Sequence, residues 1–126
     1  MAIVGHGGAG TTSLTEALLY RSGAISRMCK VEDGQTTTDF EPEEIKRGVS
    51  VSATLAPVEW RDVKINFIDT PGFAYFVAEV KGAFRAVDSV LIVVSATSGV
   101  QIGTEQCWKL AEEAGLPRLI FVNKMD

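Results

Sequence analysis

The sequence is poor in cysteine, histidine and positive charge. It has 126 residues, with two cysteines and one histidine. Cys29 and Cys107 are isolated, without the paired spacing of a metal site, so we expect both thiols to be reduced. No apolar run approaches the ~18 residues of a membrane span. Glycines directly follow residues 1–4, which is unlike a secretory signal. We therefore expect a cytoplasmic protein without a membrane partner.

The charge balance narrows the class of partner. The formal net charge is −4, with 12 basic and 16 acidic residues. A protein that neutralises a row of phosphates needs clustered Lys and Arg, so we expect no direct DNA binding. The hydrophobic fraction of 46% and the charged fraction of 22% are ordinary for a globular domain. The length suits one domain with one core, and we expect a monomer.

Apolar residues alternate between strand-like and helix-like spacing along the chain. Val51, Ala53 and Leu55 predict the buried face of a half-buried strand, and Pro57 places that strand at or near a sheet edge. Residues 60–62 then predict a hairpin connection. Other strands are predicted at residues 2–4, 63–67, 90–94 and 119–122, and the helical stripes are Leu14, Ala17 and Leu18; Phe76, Val80, Ala83, Phe84 and Val87; and Cys107, Leu110, Ala111 and Ala114.

The last two predicted strands, residues 90–94 and 119–122, are unbroken apolar runs. Such runs are typical of strands covered on both faces, so we expect both to be fully buried. Strands alternating with helices predict an α/β fold with a mostly parallel sheet and helices on both faces. In such sheets ligands bind beyond the carboxyl ends of strands, and the unusual residues of this chain follow such ends.

The first unusual stretch is GHGGAGTT at residues 5–12, between a predicted strand and a predicted helix. It matches the phosphate-loop pattern G-x-x-x-x-G-K-[ST], except that Thr11 takes the lysine position. Glycines let backbone amides converge on an anion, and a helix start adds positive charge. Alone, the stretch is equally compatible with a glycine-rich turn that binds nothing. The candidate phosphate-binding residues are Gly5, Gly7, Gly8, Ala9, Gly10, Thr11 and Thr12.

Two further motifs follow strands. Asp69-Thr70-Pro71-Gly72 comes after the strand that ends near Ile68, and Asn123-Lys124-Met125-Asp126 ends the chain. In the first, Asp69 is suited to hold Mg²⁺ through water and the Gly72 amide to reach a γ-phosphate. In the second, a carboxylate accepts paired hydrogen bonds from guanine, which adenine cannot supply. Each motif alone is weak evidence, and D-x-x-G is a common turn, but three motifs in this order indicate a guanine-nucleotide fold.

The residues around these motifs resemble the translational GTPases, most of all the elongation factor G family. RGVSV at residues 47–51 is similar to their R-G-I-T-I, and DTPGF at residues 69–73 to their D-T-P-G-H. Gly99-Val100-Gln101 with Thr104-Glu105 is similar to their G-V-x-x-x-T-E, and Asn123-Lys124-Met125-Asp126 is the elongation factor G form of the base motif. The switch segment near Thr38-Asp39-Phe40 resembles a divergent branch of that family.

The resemblance implies a P-loop G domain that binds GTP or GDP with Mg²⁺. Thr12 and Ser50 would contact the metal directly, and Asp69 would hold it through water. Asn123, Lys124 and Asp126 would bind guanine. The family couples GTP hydrolysis to conformational change on the ribosome, so the ribosome is the implied partner, through a larger factor. We expect the loop at residues 30–50 to order with Mg·GTP. The G domain would be incomplete at both ends, stopping before its last strand and helix.

Two departures from the family pattern bear on turnover. Thr11 removes the cation that would reach the β- and γ-phosphates, and Phe73 replaces the histidine that in this family orients the attacking water. The resemblance implies a GTPase, although no residue here is a convincing catalyst of water attack. Two alternatives stay open: a degenerate nucleotide-binding module without turnover, and a fragment that does not fold alone.

Overall fold

The computed structural model of the chain describes residues 1–23, 54–70 and 77–126. These ranges form five strands and three helices around one sheet. The strands are β1 (Ala2–Gly5), β2 (Thr54–Trp60), β3 (Val63–Asp69), β4 (Val90–Ser95) and β5 (Arg118–Asn123). The helices are α1 (Thr11–Ser22), α2 (Val77–Phe84) and α3 (Ile102–Glu113).

The strand order is β2-β3-β1-β4-β5. β1 is parallel to β3 and to β4, and β4 is parallel to β5, whereas β2 is antiparallel to β3. The mostly parallel α/β sheet predicted from the sequence is therefore confirmed. Because β1, β3, β4 and β5 run the same way, their carboxyl ends meet at one edge of the sheet, where ligands bind in folds of this class.

Alternate residues of the central strands pack on opposite faces of the sheet. Ala2 and Val4 of β1 lie in one core cluster with residues of α2 and α3. Ile3 between them lies in a second cluster with Leu19 of α1 and the inner face of the β2–β3 hairpin. These three residues of β1 are fully buried. Helices therefore cover both faces, as predicted, and the two apolar layers fix the sheet between them.

The β2–β3 hairpin confirms one prediction and corrects another. Arg61 and Asp62 have φ of 50° and 66°, as in a two-residue hairpin turn with both central residues left-handed. β2 is a terminal strand of the described sheet, where Pro57 was expected. The predicted burial of Leu55 is wrong, however: it is 61% exposed, whereas Ala56 and Val58 face the core. The other two residues of the predicted face, Val51 and Ala53, lie outside the described residues.

The predicted burial of β5 is also wrong. Leu119, Ile120, Phe121 and Val122 are between 40% and 59% exposed. β5 pairs with β4 on one side and is the last strand of the sheet in the part of the chain that the structure describes. β4 has the same kind of apolar sequence but lies between two strands and under helices, so it is buried. Burial here depends on neighbours rather than on the strand's own residues.

Among the helices within the described ranges, none combines the length and the apolarity that a membrane crossing requires.

Candidate functional site

The glycine-rich loop connects the carboxyl end of β1 to the first turn of α1. Gly8 and Gly10 have φ of 86° and 99°, which side-chain-bearing residues rarely adopt. The Ala9 amide donates to the His6 carbonyl oxygen at 3.0 Å and closes a turn between them. Gly10 is the N-cap of α1, and no described side chain caps that end. A helix start of this kind presents backbone amides and partial positive charge to an anion.

The two threonines after Gly10 are both directed inward. Thr11 is 7% and Thr12 is 6% exposed. The Thr11 Cγ2 atom would lie 3.2 Å from a Cβ placed on Gly5, so the methyl group packs against the start of the loop. The Thr11 carbonyl oxygen accepts a hydrogen bond from Thr15 Oγ1 at 2.9 Å. Thr11 thus fills the lysine position with a buried, uncharged side chain.

The acidic motif leaves the sheet beside β1. Asp69 pairs in register with Ile3, and its side chain is 1% exposed. The next residue, Thr70, donates to the Ile3 carbonyl oxygen through both its amide and its Oγ1, at 3.1 and 2.8 Å. This pair of bonds fixes the point at which the chain departs from β3. The predicted site residues Ser50, Gly72 and Phe73 lie outside the described residues.

The base motif after β5 contacts the phosphate loop directly. Asn123 Nδ2 donates to the Ala9 carbonyl oxygen at 2.9 Å, and Lys124 Nζ donates to the Gly8 carbonyl oxygen at 2.6 Å. A Cβ on Gly10 would collide with Asn123 Nδ2, so only glycine fits there. Asp126, the third member of the motif, is exposed. The structure thus brings together two motifs that the sequence separates by more than 100 positions.

The neighbouring strand β4 supports the same edge. The Ala96 amide donates to the Asn123 carbonyl oxygen at 2.8 Å, directly after Ser95 pairs with Asn123 in the sheet. Ser95 and Thr97 share a hydrogen bond between their hydroxyls at 2.9 Å. The turn after β5 is therefore held from two sides, by the loop after β1 and by the loop after β4.

One contact of the loop was missed by sequence reasoning. His6 lies within the loop, and its Nδ1 accepts a hydrogen bond from the Gly103 amide at 2.9 Å. Gly103 lies in the first turn of α3. A glycine in the first turn of an otherwise ordinary helix was the available signal, because glycine there often marks a close approach of another segment.

This arrangement defines the class of protein. A glycine-rich loop follows the central strand of a mostly parallel sheet, and a buried carboxylate ends the next strand. A third strand ends in an asparagine that is braced on the loop, as is the lysine after it. The fold and these positions are those of a P-loop nucleotide-binding domain. Within that class, the chain belongs to the family of elongation factor Tu GTP-binding domains, which matches residues 1–126.

Similar proteins are translation factors. Elongation factor G 2 of Borreliella burgdorferi is 42% identical over all 126 residues, and Elongation factor G 2 of Treponema pallidum is 43% identical over the same length. A mitochondrial ribosome-releasing factor 2 of Candida dubliniensis is 40% identical. The chain covers 19%, 18% and 16% of these relatives, so it spans less than a fifth of their length.

Solved structures give the same relationship. A crystal structure of a protein from Thermus thermophilus superposes with a TM-score of 0.97 at 48% identity. A bacterial selenocysteine-specific elongation factor superposes with a TM-score of 0.78 at 25% identity. Each comparison covers 99% of this chain and 19% of the other. The described fold is therefore that of the GTP-binding domain of elongation factor G-like proteins.

Proposed function

We propose that this chain binds GTP and GDP with Mg²⁺ as the G domain of a longer, elongation factor G-like factor. In that factor, GTP hydrolysis would drive a conformational change on the ribosome during translation. The observation that carries the proposal is the pair of hydrogen bonds from Asn123 and Lys124 to the carbonyls of Ala9 and Gly8. These bonds fix the position of the loop that suits phosphate relative to the motif that suits guanine.

The phosphate end of the site is built from backbone. Residues 7–12 would cradle the phosphates, because left-handed Gly8 and Gly10 orient the loop and α1 begins directly after it. The Gly72 amide would contact the γ-phosphate. Position 11 is a threonine and supplies no positive charge. Among the described residues, the ammonium of Lys124 contacts the loop, where it donates to the Gly8 carbonyl oxygen.

The residues fit Mg²⁺ by the chemistry of their donors. Thr12 supplies a hydroxyl and Asp69 a carboxylate, both buried at the carboxyl edge of the sheet. Ser50 would add a second hydroxyl. The described residues contain no group of three or more His, Cys, Asp or Glu side chains suited to a metal. This agrees with Mg²⁺, which binds few carboxylates and takes its other ligands from phosphates and water. When bound, the ion would neutralise charge that develops on the phosphates.

Guanine recognition would depend on Asp126. A carboxylate accepts hydrogen bonds from the ring N–H and the exocyclic amino group of guanine, and adenine lacks that pair of donors. Asn123 would hold the loop and contact the base edge, and the stem of Lys124 would lie along the ring. Both roles are supported by the contacts of these two residues with the phosphate loop.

Hydrolysis by the chain itself would be slow. In-line attack of water on a γ-phosphate depends on positioning and charge neutralisation. Thr11 removes a positive charge from the loop, and Phe73 cannot orient water by hydrogen bonding. The buried Thr11 side chain also favours a second candidate function, a module that holds guanine nucleotide without turning it over.

The remaining proposals concern the whole factor. We infer that a further strand and helix cover β5, because its four central apolar residues are 40–59% exposed in the described chain. We also propose that the factor is cytoplasmic and monomeric, contacts ribosomes, and does not bind DNA directly. A ligand that binds only the folded state stabilises it by mass action, so we expect guanine nucleotide to raise the free energy of unfolding of the chain.

The test is calorimetric titration of the purified chain with GDP, GTP and ATP in the presence and absence of Mg²⁺. We expect saturable binding of GDP and GTP, weaker binding of ATP, and tighter binding with Mg²⁺. Single-turnover release of γ-phosphate then separates the two candidates: slow release supports the GTPase, and intact GTP after many hours supports the binding module. Equal affinity for ATP and GTP would contradict the proposal.

A further inference from the structure

His6 lies in the phosphate loop but has no role in the site described above. Its imidazole is half-buried, and Nδ1 accepts a hydrogen bond from the Gly103 amide at 2.9 Å. Gly103 is the second residue of α3, whose N-cap is Gln101. Amides in the first turn of a helix have no partner within the helix. The imidazole therefore supplies the acceptor that this helix end needs from outside.

The two segments also approach too closely for any residue other than glycine at position 103. A Cβ on Gly103 would lie 2.5 Å from His6 Nδ1 and 2.8 Å from His6 Cα. The second distance involves backbone, so a change of side-chain rotamer would not relieve it. The loop thus packs directly on the first turn of α3, and the hydrogen bond sets its distance from the helix.

We propose that His6 is a positioning residue, which holds the phosphate loop in its anion-binding shape by capping α3 through unprotonated Nδ1. The proposal rests on the nucleotide binding proposed above. A proton on Nδ1 removes the acceptor. It also places positive charge beside the positive end of the α3 dipole. Protonation of His6 therefore releases the loop from α3 and lowers the affinity for nucleotide as the pH falls.

Several other groups near the loop carry or gain charge. On α3 they are Glu105, which is exposed, and Cys107, whose thiol pKa burial raises to about 11 despite a hydrogen bond to the Gly5 backbone. Beyond α3 they are Lys124, bonded at Gly8, and Asp69 at the end of β3. The phosphates of the nucleotide also titrate. The experiment must therefore isolate the imidazole from all of these groups.

Two variants of His6 make that separation. In His6→Asn, Oδ1 is the same number of bonds from Cα as Nδ1 and accepts a hydrogen bond without titrating. In His6→Leu, a carbon takes that place and nothing accepts. Every other group is shared, so the ratio of dissociation constants between variant and natural chain cancels their contributions.

We expect the natural chain to match His6→Asn at high pH, where Nδ1 accepts the hydrogen bond, and to approach His6→Leu as the pH falls and Nδ1 gains a proton. His6→Leu should bind GDP about two- to tenfold more weakly than His6→Asn at every pH, as the loss of one net hydrogen bond implies. If the ratio of the dissociation constants of the natural chain and His6→Asn stays constant with pH, the proposal is overturned.

A second measurement needs no nucleotide. In ¹H–¹⁵N spectra of the chain, the Gly103 amide should shift along with the His6 imidazole titration in the natural chain and stay in place in His6→Asn. The imidazole ¹⁵N spectrum should show Nδ1 unprotonated at high pH. If the chain fails to bind GDP but the Gly103 amide follows the imidazole, then the proposed function is wrong while the contact stands. If GDP binds and the Gly103 amide signal does not shift with the imidazole titration, the proposal about His6 is wrong.

Discussion

Asn123 Nδ2 donates a hydrogen bond of 2.9 Å to the Ala9 carbonyl oxygen across 114 positions of the sequence. The bond ties the turn after β5 to the loop after β1, and the absence of a side chain on Gly10 makes room for it. The donor at position 123 therefore helps to hold the phosphate loop, in addition to any contact that Asn123 makes with a base.

This relationship predicts an order of affinities. Asn123→Ala removes the donor, and we expect GDP to bind about two- to tenfold more weakly. Asn123→Asp keeps the size but places a carboxylate against a carbonyl oxygen, so it should bind more weakly than Asn123→Ala. Calorimetric titration measures both, and thermal melting without nucleotide checks that the variants fold. An aspartate variant that binds better than the alanine variant would show that the donor is unimportant.

A second prediction concerns the missing cation of the loop. Thr11→Lys should strengthen binding of Mg·GTP by about tenfold to over a hundredfold, because a hydrogen bond to a charged phosphate contributes about 1.5–3 kcal/mol. The side chain replaced is buried and uncharged, so the gain has a cost in packing against Gly5. Thr11→Gln has a long side chain without charge and is the matched control. Equal dissociation constants for Thr11→Lys and Thr11→Gln would count against a charge effect.

The burial of a strand could be predicted from the sequence where its neighbours in the fold could also be predicted from local sequence patterns. The run at residues 90–94 predicted a strand buried on both faces, and β4 is one. The run at residues 119–122 has the same character, but the described sheet ends at β5 and leaves it exposed. In β2 the residues Leu55 to Val58 are apolar in both phases of the alternation, so spacing alone could not decide that Ala56 and Val58 face the core.

The candidate site divides in a similar way. Its phosphate loop and its base motif were found because each is a contiguous pattern that follows a strand. The His6–Gly103 contact was not found, because it joins residues 97 positions apart. The glycine in the first turn of α3 signals a close approach but does not identify the segment that makes it. The bracing of Gly8 by Lys124 likewise depends on the fold, since only the parallel sheet places the two loops side by side.

A third prediction tests the choice of base. Asp126→Asn should lower the affinity for GTP by about tenfold to a hundredfold, since a charged acceptor is lost. It should raise the affinity for XTP, because xanthine has an oxygen where guanine has the amino group, and an amide can donate to it. Competition of GTP, XTP and ATP for one labelled nucleotide measures the order. Asp88→Asn changes an exposed carboxylate elsewhere and is the control. An Asp126→Asn chain that still prefers GTP to XTP would contradict the assignment.

A fourth prediction concerns stability at alkaline pH. Burial raises the pKa of the Cys107 thiol from its ordinary value of 9.0 to about 11, and a hydrogen bond to the Gly5 backbone lowers it only in part. The folded state therefore keeps the thiol proton at a pH where the unfolded chain has lost it. Below about pH 9 both states are protonated, and the thiol contributes no pH dependence. Between about pH 9 and about pH 11 the unfolded state is stabilised by ionisation, so the free energy of unfolding falls.

The size of that fall follows from the shift in pKa. About two units correspond to about 2–3 kcal/mol, most of it expressed by pH 11. The fall is measured by urea unfolding of two proteins, one with Cys29→Ser alone and one with both Cys29→Ser and Cys107→Ser. The serine introduced at position 107 does not ionise, and the other titrating groups cancel in the difference. Up to about pH 9 we expect the free energies of unfolding of the two proteins to differ by a constant amount. Above about pH 9 the free energy of unfolding should fall more for the protein that keeps Cys107 than for the serine variant. A difference that stays constant up to pH 11 would mean that the thiol reaches solvent in the folded state, and the packing of α3 against β1 would then be looser than the structure shows.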